Sequence, residues 1–543
     1  MPEFYGGSSS EVLEAIQARS KSSETDEAGT DLSSPENRAL LWLGSRSGLT
    51  FGKAAGALLP PKVVAMEYVH RYFQTAHRIF PILDKRLFVN STVDYYNGLP
   101  TEGKGYESWT AVMYMVIALG HQYSLVDPDP EVRRRALNSP EDGEVCFQLL
   151  KACLNDVHFA GGDISAVNSL LLAFLWLYNQ HRLHEGYMVL GTAARIGYGI
   201  GLHRNLKMDP DQGLHIMPHV MGWCSSFWCL FTYEREMVAL LGRPCAIEAH
   251  EFDINTFPLE ESSVELQYLE RMRQFAAITW SAYDQIYSLS LKHLGLSERS
   301  DALRKTDEAF ERWFNSWFLD CTWAKEPHGL VIRLRFLHSR LLLYRAFLSI
   351  LVQGARRQEK VSNELKELAA VSVRIAVDIV IIIVDDIYPA ARSSGTLQGI
   401  LFHAVLYLWN AVVSLLFVAS SRVVQQLLES ELQGINILDT IAHGTRIFEA
   451  YSDTVASARI ALQKSHTILD KMSPDSTSLV KPNGAGMAVA TTPDSCEKTG
   501  ISPSQNDLGS TESALPETEL DWAEFDTTLD DFNNFEPFFS MGS

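Results

Sequence analysis

Three groupings along this 543-residue chain have residue types that chemistry could use. The first is the run Asp385-Asp386-Ile387-Tyr388-Pro389. Carboxylates at i, i+1 and i+4 of a helix could bridge Mg²⁺ to a diphosphate, because i and i+4 share a face. Here the i+4 position is Pro389, which supplies no ligand and is expected to end the helix. No second group with acid, hydroxyl and acid at four-residue spacing follows downstream. A helix terminus with a solvated acid pair is the expected outcome.

The second grouping is His181 and His184, three apart beside Glu185. No further ligand stands near them in sequence, so a capping or surface role is expected rather than a metal site. The third is the set of seven cysteines, at 146, 153, 224, 229, 245, 321 and 496. Their odd number, scatter and apolar settings suit reduced thiols in an intracellular protein. The first six read as small buried hydrophobes and Cys496 as an exposed one.

The carboxy-terminal end has a different chemistry. From residue 499 onward there is no Lys or Arg but ten Asp and Glu, interspersed with aromatics. Trp522, Phe525, Phe532, Phe535, Phe538 and Phe539 are kept solvated by these acids and so stay available to a partner's apolar groove. Such acidic-aromatic alternation is typical of activation segments. An ordinary acidic tail, or a helix docking back on the core, is the alternative.

Whatever these residues do, the elements that must position them are helices. The chain is 46% hydrophobic, enough for a large core, and has a formal net charge of -20 from 46 basic and 66 acidic residues. Such an acidic chain does not suit general binding to nucleic acid, which needs clustered Lys and Arg. The amino terminus lacks the basic and apolar regions of a signal peptide. Residues 1–60 read as a mostly disordered linker, with a short helix at 10–18 and an apolar piece around Leu40–Leu43. From 61 to 472 helical periodicity dominates without an alternating strand pattern, predicting an all-α domain of many helices. The expected helices are 109–123, 144–155, 164–178, 185–197, 218–241, 265–294, 298–317, 330–353, 361–387, 396–420 and 440–472, after an amphipathic segment that Pro81 ends. Residues 473–514 read as a disordered Ser/Pro/Gly linker and 515–543 as the activation-type segment.

Residues 400–420 carry no charge and could span a bilayer at about 1.5 Å per residue. His403, Asn410 and Ser414 within the run, and the lack of a second span, favour a buried central helix and no membrane.

The stretch 186–258 organises the rest. Met188, Leu190, Ala193, Ala194, Ile196 and Gly197 form one helical stripe, small enough for a neighbouring helix to come close. A turn with Gly197, Gly199 and Gly201 ends it, followed by His203-Arg204. A second apolar helix carries Trp223, Phe227, Leu230, Phe231 and Glu234 at spacings of three or four, and Gly242-Arg243-Pro244 ends it. Glu234, Arg235, Glu236 and Arg243 are expected to form ion pairs and caps. No nucleophile beside a base and no phosphate loop is present.

In these residues the chain resembles the fungal-specific transcription factor domain, the middle homology region that follows the zinc binuclear cluster in many fungal regulators. The resemblance is carried by Ala194, Arg195, Gly201, Leu202, His203, Arg204, Trp228, Leu230, Glu234, Arg235, Leu241, Gly242, Arg243, Pro244, Asp253, Ile254 and Pro258. Glu234 stands where the family usually has Asp, and Phe227 where it has Trp. An entry segment with Tyr72, Phe73, His77, Phe80, Pro81, Ile82 and Leu83 also matches. So does 338–350, from which Tyr344 and Ala346 depart.

The resemblance implies a nuclear transcriptional regulator without enzymatic activity. Its helical domain would be modulated by a small-molecule effector or by self-association as a homodimer, and it would serve a metabolic gene set. The acidic tail would recruit transcription machinery. Neither the zinc cluster nor its basic region is encoded here, as no cysteine precedes Cys146. The expectation is either an upstream exon that supplies the zinc, or a regulator that reaches DNA through a bound partner. No cofactor is expected within this chain. The alternatives are a helical Mg²⁺-dependent terpenoid enzyme using Asp385 and Asp386, and a corepressor-like interaction protein that does not bind DNA.

Overall fold

A computed structural model describes residues 59–98, 106–139, 142–154, 162–205, 213–248, 250–254, 263–287, 295–318 and 326–472. The expected helix at 10–18, the apolar piece around Leu40–Leu43, the linker and the acidic-aromatic tail lie outside them. Among the described residues every regular element is a helix.

Local sequence sets where the helices begin. Before α3 (Lys85–Tyr96) the Asp84 carboxylate accepts the Leu87 N–H at 2.8 Å. Asp129, followed by Pro130, starts α5 (Pro130–Leu137), and Asp163 caps α7 (Ile164–Asn179). Ser362 does the same for α13 (Asn363–Ile381), Ser421 for α17 (Arg422–Leu428) and Asn436 for α18 (Ile437–Tyr451). Each cap satisfies an N–H that has no partner inside its helix.

The remaining helices of the amino-terminal half are α1 (Lys62–Gln74), α2 (Ala76–Ile79), α4 (Tyr106–Ser124), α6 (Asp142–Leu154), α8 (Leu183–Gly199), α9 (Gly213–Leu241), α10 (Val264–Tyr287) and α11 (Leu296–Phe318). The carboxy-terminal half has α12 (Pro327–Arg356), α14 (Tyr388–Ala390), α15 (Gly395–Gly399), α16 (Leu401–Ala419) and α19 (Ala456–Met472). Helix α4 packs on α1, α6 and α7, and from α7 each helix leans on the next through α11. Helix α12 packs on α10, α11 and α13, and α16 lies against α12, α13, α18 and α19. One continuous apolar core runs from Leu59 to Ile468.

Close backbone contacts need glycine at two crossings. A Cβ on Gly120 of α4 would lie 2.0 Å from the Tyr68 carbonyl oxygen of α1, and one on Gly395 of α15 would lie 2.0 Å from that of Gln74. Polar bonds join the halves as well: Tyr123 donates to the Gly399 carbonyl at 2.8 Å, and Arg78 Nε to Thr396 Oγ1 at 3.3 Å.

Helix α16 is the apolar run that could have crossed a bilayer, and 94% of its most apolar stretch is buried in the fold. His403, Asn410 and Ser414 on it are wholly buried. Asn410 accepts from Arg345 at 2.8 Å, and Ser414 returns its hydroxyl to the Asn410 carbonyl.

Four boundaries differ from expectation. The first amphipathic segment breaks at Thr75, whose hydroxyl bonds back to the Arg71 carbonyl at 2.7 Å, well before Pro81. The 396–420 and 440–472 segments each divide, at Ile400 and at the turn 452–455. Pro389 does not end its helix. Residues Ile382–Ile387 widen into a π-helical turn and the chain continues helically to Ala390. The wider turn makes room for a ring that would clash with the carbonyl four residues back.

Candidate functional site

The residues singled out between 186 and 258 converge at the carboxy-terminal ends of α8 and α9. Helix α8 ends because Gly201 takes φ +77°, a conformation that favours glycine. Leu202 N–H then returns to the Gly197 carbonyl at 2.8 Å and Gly201 N–H to Tyr198 at 3.1 Å, the two bonds of a Schellman cap. Leu202 is fully buried and packs beside Gly197. Arg195, by contrast, is exposed on α8.

Helix α9 also ends at a glycine of positive φ, Gly242 at +64°, here through the single bond of an αL cap, its N–H on the Val238 carbonyl at 2.8 Å. The following loop is tied back by side chains of the last turns. Glu234 accepts the N–H of Ala246, and Arg235 Nη2 donates to the Ile247 carbonyl. The two side chains also pair, Arg235 Nη1 to Glu234 Oε2 at 3.4 Å, although only 1% and 2% exposed. The Arg235 guanidinium lies 4.9 Å from the Phe231 ring centre and 4.3 Å from that of Trp280. Burial drives the Glu234 carboxyl up to about 7, against the pull of Arg235 and of the Ala246 and Ile247 N–H groups. On the other side of the loop Arg243 donates to His184 Nδ1, and Tyr187 OH bonds the Pro244 carbonyl at 2.9 Å.

The third piece joins both. Asp253 N–H donates to the His203 carbonyl at 3.2 Å, while its carboxylate accepts the Asn205 N–H at 3.0 Å and pairs with Arg204 at 3.2 Å. Trp228 is buried, with Phe252 edge-on at 5.5 Å and the Arg273 guanidinium 5.1 Å from its ring centre. The motif therefore makes a latch that closes three chain segments on one another. Pro258 lies outside the described residues.

Beneath this latch lies a polar cluster that sequence reading placed only in part. Glu236 bonds Arg335 of α12 and Tyr407 of α16, and Tyr178 of α7 reaches it at 3.5 Å. Arg335 also donates to Tyr233 OH at 3.0 Å. His338 stacks on Tyr407 at 3.9 Å and His403 on Tyr178 at 4.4 Å. Burial holds both imidazoles well below their usual pKa, and hence neutral. A signal was present in the sequence: charged or imidazole residues set in otherwise apolar helices.

The other candidates are placed elsewhere. Asp385 and Asp386 are exposed on the π-helical turn. Among the described residues no group of three His, Cys, Asp or Glu could hold a metal. Cys146, Cys153, Cys224 and Cys229 are buried free thiols and Cys245 is half-buried; Cys321 and Cys496 fall outside the described residues. So do Trp522, Phe525, Phe532, Phe535, Phe538 and Phe539 of the acidic segment.

Residues 69–315 match the model of the fungal specific transcription factor domain. The ABC-transporter-regulating transcription factor of Aspergillus fumigatus is 22% identical over 299 residues, covering 52% of this chain and 32% of the relative. Activator of stress genes 1 of Saccharomyces cerevisiae is 21% identical over 443 residues, 76% of this chain and 44% of the relative. Protein STB5 of the same yeast is 22% identical over 263 residues, covering 45% and 33%. The chain thus spans less than half the length of these curated relatives. The helices that form the latch all fall within the matched span, and over residues 69–315 this chain carries a fungal specific transcription factor domain.

Proposed function

We propose that the chain is a fungal-type transcriptional regulator acting in the nucleus. Its helical body is the regulatory part, and residues 515–543 recruit the transcription machinery. What carries this most is the family match over 69–315, together with relatives named as transcription factors and activators. The latch supports it too, since the motif side chains are spent on closing loops rather than on lining a reaction site. DNA is reached through a bound partner or a zinc cluster outside these residues, and self-association as a homodimer is open to it. We place 61–472 as one regulatory domain, with linkers at 1–60 and 473–514.

The test is to fuse residues 515–543 to an unrelated DNA-binding domain and measure reporter output. Activation is expected, and replacing Trp522 and Phe525 with Ala lowers it. Silence from the fusion overturns the activating role and favours a corepressor-like one.

A further inference from the structure

Helices α1 and α5 leave between them an open groove of about 750 Å³. Pockets of roughly 300–1,000 Å³ take a group with several rings or branched chains, so the groove has room for a few large side chains at once. Its exposed lining is mostly apolar, from Val63, Val64, Met66 and Tyr68 of α1 and Val132 and Ala136 of α5. Val63, in the first turn of α1, is 72% exposed.

The polar groups of the lining are already paired. Arg135 Nη1 holds the Glu67 carboxylate at 2.8 and 3.1 Å, Gln74 bonds His70 at 2.8 Å, and Arg71 pairs with Asp127. Lys62 donates to Asn97 Oδ1 at 2.7 Å and Ser124 to the Gly120 carbonyl at 2.8 Å. Each of the cations Lys62, Arg71 and Arg135 thus has a partner, which leaves little charge to recruit an acidic segment such as 515–543. What the groove offers is apolar surface, and an apolar occupant fits it.

The chain supplies such an occupant close by. Ala39-Leu40-Leu41-Trp42-Leu43 is a run of five apolar residues, with Arg38 before it and Arg46 three residues after. The 18 residues 44–61 join it to α1. They can reach up to about 60 Å, against about 20 Å for the whole length of α1. The chain also enters α1 at the groove itself: Tyr96 OH donates to the Pro60 carbonyl at 3.1 Å, and Lys62 and Val63 are lining residues. A tether this short raises the local concentration of the run to about the millimolar range, so modest apolar contact is enough to seat it. We propose that residues 39–43 dock into the groove between α1 and α5 of the same chain, their Leu and Trp side chains covering Val63, Met66 and Val132. Docking holds whatever precedes residue 39 against this face of the helical body. The inference draws on the groove and this run alone, so its failure leaves the regulatory role standing. A silent reporter fusion, conversely, says nothing against docking.

The experiment digests the purified full chain with trypsin under native conditions and follows each cut by mass spectrometry. Cuts after Arg38 and Arg46 bracket the run, and cuts after Arg19 and Lys21 are internal references. Docking should slow the bracketing cuts at least about tenfold against the references, because cleavage tracks the undocked fraction. Val63→Glu, at an exposed site where an acid suits the first turn of a helix, should restore fast cleavage while the helical body stays folded. Should Val63→Glu unfold the body, Val63→Gln takes its place. Trp42→Ala should restore fast cleavage from the side of the segment, and Trp522→Ala with Phe525→Ala should change nothing. Protection should not vary with protein concentration. Equal cleavage at all four sites in the parent, or protection that the groove variant or Trp42→Ala leaves intact, overturns the proposal. So does protection that grows with concentration, which assigns the groove to a second copy, or that the tail variant abolishes, which assigns it to the acidic segment.

Discussion

Glu234, near the end of α9, accepts the backbone N–H of Ala246 twelve residues further along, and so holds down the loop that follows its own helix. The adjacent Arg235 does the same for the Ile247 carbonyl. Two consecutive loop residues are thus fixed from within the last turns of α9.

Arg235→Lys should cost about 3 kcal/mol or more, because an ammonium cannot reproduce the planar fork between Phe231 and Trp280 while reaching the Ile247 carbonyl. Urea unfolding of the variant against the parent measures it. A loss under about 1 kcal/mol would mean that the loop is not held by this side chain.

Glu234 gives a pH signature. Its folded pKa of about 7 lies above the ordinary carboxyl value of 4.5, so the folded state binds the extra proton. Its contribution is fully present below 4.5 and is lost as pH rises through about 7. Urea midpoints from pH 5 to 8 should therefore decline more steeply in the parent than in Glu234→Gln, which does not titrate. Parallel profiles would show that the carboxyl is not shifted upward.

Gly120→Ala should destabilise by about 3 kcal/mol or more, since a Cβ 2.0 Å from the Tyr68 carbonyl forces α1 and α4 apart. Gly191→Ala on α8 is the control, with nothing within 4 Å of the added carbon. There the better helix propensity should stabilise by about 0.5–1 kcal/mol. Thermal melts of the two variants should move in opposite directions.

Arg335→Met leaves Glu236 buried without its counter-charge and should cost about 3–5 kcal/mol. Adding Glu236→Met should recover at least about 2 kcal/mol, because replacing both members of a buried pair by apolar groups is often nearly neutral. Additive losses in the double variant would show that the two side chains act independently.

Much of this architecture was legible in the residues. Helices α7, α9 and α16 follow from apolar runs with 3.6-residue periodicity, and the ends of α8 and α9 from Gly201 and Gly242. The breaks at Thr75 and Ile400 were not, because the neighbouring residues keep a helical pattern across them. Pro389 misled for a related reason: its ring forbids an ordinary turn but tolerates a wider one, and sequence does not say which the surrounding packing selects. Helices α3, α5 and α17 were passed over because their short runs bury few apolar side chains. Of the site, Glu234, Arg235 and Arg243 could be read as pairing groups. That Glu236 would meet Arg335, 99 positions away, depends on how α9, α12 and α16 come together, which no local pattern encodes.

The matched span closes at residue 315, yet Glu236 inside it is neutralised by Arg335 and held by Tyr407, both beyond it. What is inherited as a recognisable unit is therefore shorter than what folds. A fragment cut at the boundary of the similarity would keep an anion in its interior and discard the cation that makes it tolerable. Sequences that diverge freely after that boundary must still preserve a partner for this one carboxylate, or lose both together.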